Sequence, residues 1–351
     1  MDRAKSSRNP LLDMARIVAV LAVVMIHCSA DFIANYPLHT SEFIWGNLFD
    51  SVARMGVPLF LMISGALFLD QDRDISFKSI LSKNVKSLAI ITVIWAALYA
   101  VLYHVIIPLL TNQAVSIKGL VSGVLQGHYH MWYLYMIIGI YIATVFLRSF
   151  VCKKNKNMVL LFILVSFVAQ FLFTTVDKIG TLHFGIDFAG GWIEKFHLDF
   201  FSGYVTYYLL GWYLVHVGIQ RKYLRYVIYC LSLLSLLAIV FYVGFTGNHA
   251  IAYDNIGLLV FLYSSGVFLA INNVKISFKE KTARILATLS KLSFGVYILH
   301  VIVLTAFKAL LPYREHGAAY ILLCFVTVCA VSFSGSYIVS KIPVLKHLVK
   351  A

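Results

Sequence analysis

Acidic residues are scarce in this chain: 15 Asp and Glu stand against 29 Lys and Arg in 351 residues, and charge of either sign accounts for only 13%. Coupled-ion transport usually leaves carboxylates inside membrane helices, and Asp13 reads as the only one well inside an apolar run. The five cysteines (Cys28, Cys152, Cys230, Cys324 and Cys329) form no CxxC pair, and no zinc-type histidine spacing accompanies them. They read as small hydrophobes, and no metal is expected. A glycine-rich phosphate loop, a dinucleotide fingerprint and a GxSxG elbow are all missing, which leaves nucleotide hydrolysis, Rossmann chemistry and the hydrolase elbow without support. No Ser/Gly/Pro-rich linker or low-complexity tract divides the chain, so residues 1–351 read as one integral domain with a short tail over 1–10.

What fills the chain instead is hydrophobic residues, at 61%, with a mean hydropathy of +0.85. A soluble globular domain of ordinary type does not reach these values. The pattern predicts an all-α polytopic membrane protein of about ten helices, since stretches able to cross a hydrocarbon core of about 30 Å recur about ten times. They fall near 11–33, 48–69, 87–110, 131–149, 157–176, 199–218, 223–245, 255–272, 290–311 and 318–342.

The net charge of +14 is explained by where the cations lie, and no nucleic-acid partner is needed. Alternate connections carry Arg3, Lys5, Arg8; Arg73, Lys78, Lys83, Lys86; Arg148, Lys153, Lys154, Lys156; Arg221, Lys222, Arg225; Lys275, Lys279, Lys281, Arg284, Lys291; and Lys341, Lys346, Lys350. Only Lys118, Lys178, Lys195, Lys308 and Arg314 fall in the other set, with Arg16 and Arg54 in or beside spans. By the positive-inside rule both termini are expected in the cytoplasm. A bacterial inner membrane is the expected location.

Within the first apolar run, His27 follows Arg16 by eleven positions. On an α-helix this is within about 20° of three full turns and about 16 Å of rise, so both side chains share one stripe. Asp13, three residues before Arg16, is placed to pair with its guanidinium. A secretory signal peptide is disfavoured because Asp13 and Arg16 interrupt its apolar region and every later segment is membrane-spanning too. Arg16 alone would pass as a snorkelling residue. His27 lies about 24 Å along the helix, too deep to reach the near interface, so the stripe should face a polar interior.

These residues carry a family resemblance. Asp13-x-x-Arg16 with His27 resembles the first-helix signature of the membrane acyltransferase 3 family, which acylates sugars and other hydroxyl acceptors from acyl-CoA. Val57-Pro-Leu-Phe-Leu-Met-Ile-Ser-Gly65-Ala-Leu-Phe, with Arg54 just before it, is similar to the second-helix motif. His130-Met-Trp132-Tyr133-Leu134 resembles the motif opening the fourth helix, and Ser293-Phe-Gly295-Val-Tyr297-Ile-Leu-His300 the penultimate-helix motif. The short chain, read without an appended soluble domain, resembles the enterobacterial common antigen O-acetyltransferase type. One departure is the stretch before the third helix, Lys83-Asn-Val-Lys86, where the family often has arginines.

The resemblance implies an O-acetyltransferase that moves acetyl from cytoplasmic acetyl-CoA, its co-substrate, to a hydroxyl of a cell-surface glycan or lipid-linked saccharide. His27 is the expected base, because a neutral imidazole suits proton removal from an alcohol. Arg16, oriented by Asp13, is expected to bind the CoA diphosphate, with Lys83 and Lys86 as further cations and Tyr297 and His300 lining the donor site. Arg54, placed near the outer end of its helix, joins His130 and Trp132 as expected acceptor-side residues. Ser64-Gly65 is read as a close-packing element that also lets the cofactor pass. The competing class is a carrier or flippase for a lipid-linked saccharide or acylated product, with the stripe as a permeation path. The charge pattern makes its own prediction. In a cysteine-free background, a single cysteine at Lys154 or Lys279 should react with an impermeant maleimide only after permeabilisation, and one at Lys118 without it.

Overall fold

The computed structural model describes residues 8–187, 203–313 and 317–350. Arg3, Lys5, Lys195 and Arg314 of the charge pattern lie outside them. The described residues are helical, with no strand among them, and eight helices are long and apolar enough to cross a membrane. The protein is an all-α, multi-pass membrane protein.

Helix α1 (Pro10–Asn35) starts where Asn9 accepts a hydrogen bond from the Leu11 N–H and Pro10 supplies a preset φ. Helices α2 (Ser41–Ala53) and α3 (Gly56–Phe68) form one 28-residue span, Ser41–Phe68, interrupted in its middle. The next spans are α4 (Phe77–Leu110), a pair made of α5 (Ile117–Gln126) and α6 (Trp132–Phe150), and α7 (Lys153–Phe184). They are followed by α8 (Gly203–His216), α9 (Lys222–Thr246), α10 (Leu258–Asn273), α11 (Glu280–Leu310) and α12 (Gly317–Lys341). Each expected apolar stretch overlaps helix, although 199–202 lie outside the described residues, and the helices α8 and α10 described over two of them run for 14 and 16 residues.

The interruption at Arg54 and Met55 has a local cause. Pro58 has no N–H to give the Arg54 carbonyl, and its ring crowds that carbonyl, so the ladder cannot continue. The span itself begins at Ser41, where the Thr40 side chain accepts from the Phe43 N–H, about two turns earlier than the apolar pattern near 48–69 implies. Arg54 stands thirteen residues into it rather than near its outer end.

Helix α1 packs against α2, α3, α11 and α12. It runs parallel to α11: Arg8 donates to the Ala287 carbonyl at one end (3.0 Å), and Lys308 pairs with Asp31 at the other (2.6 Å). It runs antiparallel to the broken span. A Cβ at Gly46 would sit 2.7 Å from Phe32 Cβ, and one at Gly56 3.1 Å from the Ala19 carbonyl oxygen. These contacts bracket Asp50 and Arg54 at the middle depth of α1.

Helices α3 and α8 approach closely through two reciprocal glycines. A Cβ at Gly65 would lie 1.7 Å from the Tyr208 carbonyl oxygen, and one at Gly211 1.9 Å from that of Met62. Close backbone contact of this kind gives membrane helices van der Waals attraction in place of the hydrophobic driving force of soluble cores. Both obstacles are backbone, so no side chain can rotate away. Gly65→Ala or Gly211→Ala should lower stability by at least about 1–3 kcal/mol, read as an earlier thermal transition in detergent than Gly139→Ala, whose Cβ meets nothing within 4 Å.

Candidate active site

A cavity of about 620 Å³ opens at the end of the bundle where α1 and α11 begin. Arg73, Lys83, Lys291 and Lys350 stand on its lining, and Arg16 joins them from α1. Apolar walls come from Phe60, Leu134, Ile137 and Phe294. Ser64, Tyr133, Tyr141 and Tyr297 add hydroxyls. The volume lies within the range of small-molecule sites, and cations on an apolar tube suit an anionic group on a long uncharged arm.

Two devices hold the mouth together. Arg148 is nine-tenths buried and donates to the carbonyls of Phe68 (2.5 Å), Asp70 (2.9 Å) and Arg73 (3.0 Å). It thereby caps α3 and fixes the loop that carries Arg73. At the other end of the chain, Trp95 Nε1 donates to the Leu348 carbonyl (2.9 Å) and holds the last turn, which brings Lys350 to the cavity.

The cavity stops at Tyr297, whose hydroxyl donates to the His130 carbonyl oxygen at 2.5 Å. One turn beyond lies a cluster of imidazoles. The rings of His27 and His300 are 5.0 Å apart, those of His300 and His130 5.5 Å, and those of His130 and His128 5.1 Å. His128 Nδ1 and His130 Nδ1 share a hydrogen bond of 2.9 Å, and His300 Nδ1 meets the Tyr297 carbonyl oxygen at 2.6 Å. Tyr129, which is exposed, sets its hydroxyl 3.5 Å from His27 Nδ1.

A third polar group occupies the break between α2 and α3. Asp50 is wholly buried and pairs with Arg54, whose guanidinium lies 4.0 Å from the centre of the Tyr253 ring. Tyr253 donates to Asn47 Oδ1 (2.7 Å), and Tyr263 donates to the Val52 carbonyl (2.8 Å) beside the break.

A family model described as an acyltransferase domain, that of acyltransferase 3, matches residues 9–337. The chain belongs to the acyltransferase 3 family. Neither the curated proteins nor the solved structures contained a match.

In this family member, the structure distributes the expected site residues over three places. Arg16, Lys83 and Tyr297 meet in the cavity, whereas Lys86 is exposed and outside its lining. His300 also lies outside the lining and joins His27 and His130 in the histidine cluster. Arg16 and His27 therefore do not line one open path, because Tyr297 stands between the cavity and the imidazoles. Asp13 is claimed by Arg8 through two hydrogen bonds of 2.6 and 2.7 Å, and Arg16 makes no carboxylate pair among the described residues. Arg8 lies outside the apolar run, so helical spacing favoured the wrong arginine. Trp132 is exposed and faces the ring of Tyr204 at 5.8 Å.

Sequence reasoning missed Asp50, which lies nine residues into the span because its helix begins at Ser41; Asp13 is thus not the lone carboxylate of the spans. Pro58 was the available signal. It also missed Arg148 and Lys350, whose roles depend on loops. The ion pair yields a stability test. Asp50→Asn or Arg54→Met alone leaves a buried charge without its partner and should cost about 3–5 kcal/mol. Asp50→Asn combined with Arg54→Met should recover much of that loss in thermal unfolding, as no uncompensated charge remains.

Proposed function

We propose that this acyltransferase 3 member is a single-domain O-acetyltransferase of a bacterial inner membrane, with both termini cytoplasmic. Acetyl-CoA is its donor, and a hydroxyl of a cell-envelope glycan or lipid-linked saccharide is its acceptor. One observation carries the reading: a cation-rimmed cavity ends one helical turn short of a cluster of imidazoles. The cavity's four mouth cations, Arg73, Lys83, Lys291 and Lys350, all belong to the set that the charge asymmetry assigns to the cytoplasm.

The lining fits such a donor. Arg16 and the mouth cations offer paired and point-charge contacts to phosphates, and the apolar walls suit the pantetheine arm. That arm spans on the order of 15 Å, close to the rise of about 16 Å between Arg16 and His27. The thioester thus reaches the Tyr297 end of the cavity while the nucleotide stays at the mouth, and the Tyr297 ring has to turn aside for the acetyl group to meet His27. His27, half-buried between His300 and the exposed Tyr129, takes the proton of the acceptor hydroxyl as its oxygen bonds to the thioester carbonyl carbon. The carbon–sulfur bond then breaks, and the sulfur recovers that proton. His130, Trp132 and Arg54 are the acceptor-side residues of this reading.

Purified protein in vesicles, with donor and acceptor varied independently, tests this reading. Free CoA should appear only when acceptor is present. His27→Ala should lower turnover by about 10²–10⁴-fold without loss of folded protein. Arg16→Lys keeps a charge but loses the planar fork, so the donor constant should rise roughly 10–100-fold, the equivalent of one charge-assisted bond of about 1.5–3 kcal/mol. A donor constant unchanged in Arg16→Lys would remove Arg16 from the donor site.

A further inference from the structure

Tautomer chemistry at His300 has a consequence for His27. A carbonyl oxygen can only accept, so the contact of 2.6 Å between His300 Nδ1 and the Tyr297 carbonyl places the proton of His300 on Nδ1. Its Nε2 then carries a bare lone pair. That atom is buried without any hydrogen-bond partner, on a residue with no exposed surface. A buried acceptor left unpaired is costly, and such atoms persist where a ligand or a reacting group completes them.

Two imidazoles neighbour it. The His130 ring is the farther one, at 5.5 Å; its Nδ1 is taken by His128, and its own Nε2 is buried without a partner. The His27 ring is closer, at 5.0 Å and 40°. Its Nδ1 is turned toward the Tyr129 hydroxyl at the exposed side. That leaves Nε2 as the nitrogen of His27 to offer to His300.

We propose that Tyr297 C=O, His300 and His27 form a relay that is completed when the His27 ring closes from its 5.0 Å separation onto the unpartnered Nε2 of His300; His300 is then the positioning residue of the base, an assignment that rests on the acyl-transfer reading above. His300 Nε2 accepts the Nε2–H of His27 and so locks His27 in the tautomer whose Nδ1 lone pair faces the acceptor. When His27 Nδ1 takes the hydroxyl proton, the new imidazolium is stabilised by the same bond. His300 stays neutral throughout, and the proton passes from acceptor oxygen to His27 Nδ1 to the departing sulfur. The logic is that of a base oriented by a third group, with a backbone carbonyl and a second imidazole in place of a carboxylate. Tyr297 thereby serves twice: its side chain ends the donor cavity, and its carbonyl sets the tautomer at the reaction centre.

The test uses full-length protein in nanodiscs and two substitutions of different reach. The amide N–H of His300→Asn can still donate to the Tyr297 carbonyl but leaves no acceptor where Nε2 stood. His300→Gln puts an amide oxygen near that position. Turnover should fall about 10²-fold or more in the Asn variant and be partly restored in the Gln variant, with the acetyl-CoA constant unchanged in both. A merely structural His300 would instead leave Asn near wild type, or would raise the donor constant in both variants. Long-range ¹H–¹⁵N spectra of the imidazoles supply a readout that needs no turnover. His27, assigned by its loss in His27→Gln, should appear in wild type as a single neutral tautomer protonated on Nε2, and as a mixture in His300→Asn. A mixed tautomer in wild type, or a spectrum of His27 indifferent to His300, overturns the relay. The single tautomer without acyl transfer from any donor would uphold the relay and sink the enzymatic reading.

Discussion

A cationic arginine and an imidazole on one apolar helix impose the constraint that organises this protein. Neither group tolerates lipid, so α1 has to be enclosed by other helices along the face that bears them. The bundle meets this by placing α2, α3, α11 and α12 around α1. Helix α11, parallel to it, continues the polar stripe with Ser290, Ser293, Tyr297 and His300 at matching depths. Enclosure requires close approach, and small residues supply it where two backbones touch. Gly65 and Gly211 let α3 and α8 meet, and Gly56 lets α3 lie on α1.

The same constraint explains the broken second span. A buried carboxylate and guanidinium in mid-bilayer stabilise little by themselves, since desolvation offsets most of their attraction. What the break provides is a place for them. Pro58 frees the Arg54 carbonyl, and the unwound turn lets Arg54 fold back toward Asp50 and over the Tyr253 ring. Non-helical backbone at this depth is tolerated only inside protein, and Tyr263, donating to the Val52 carbonyl from α10, closes it off.

Much of this arrangement was readable in the chain. Hydropathy located the helical segments, eight of which are long and apolar enough among the described residues to cross a membrane. The eleven-residue spacing put Arg16 and His27 on a single face, and Tyr297 and His300 came within reach through a three-residue interval. What the chain did not disclose depends on partners distant in sequence. Spacing alone gave Asp13 to Arg16, whereas Arg8 reaches back from outside the helix and takes it. Arg148 looks like one more cytoplasmic cation until three carbonyls from another connection converge on it. Asp50 escaped notice because apolar windows report where a span is greasiest, not where its helix starts. The separation of His300 from Tyr297 turns on which of two adjacent faces of α11 meets the cavity, and only packing decides that.

Separation into two compartments has a chemical use on the proposed reading. A thioester beside a basic imidazole hydrolyses if water shares the site, and a cavity of about 620 Å³ with a charged mouth admits water whenever it is empty of donor. Placing Tyr297 between that cavity and His27 keeps the imidazoles apart from the wet side until a donor arm fills the passage. The barrier also limits what can cross. An acetyl group on a slender arm can reach the imidazoles past a tyrosine ring, but a nucleotide held by Arg16 and the mouth cations cannot follow. On that reading the acyl group alone passes Tyr297, and Arg16 with the mouth cations retains the nucleotide behind it.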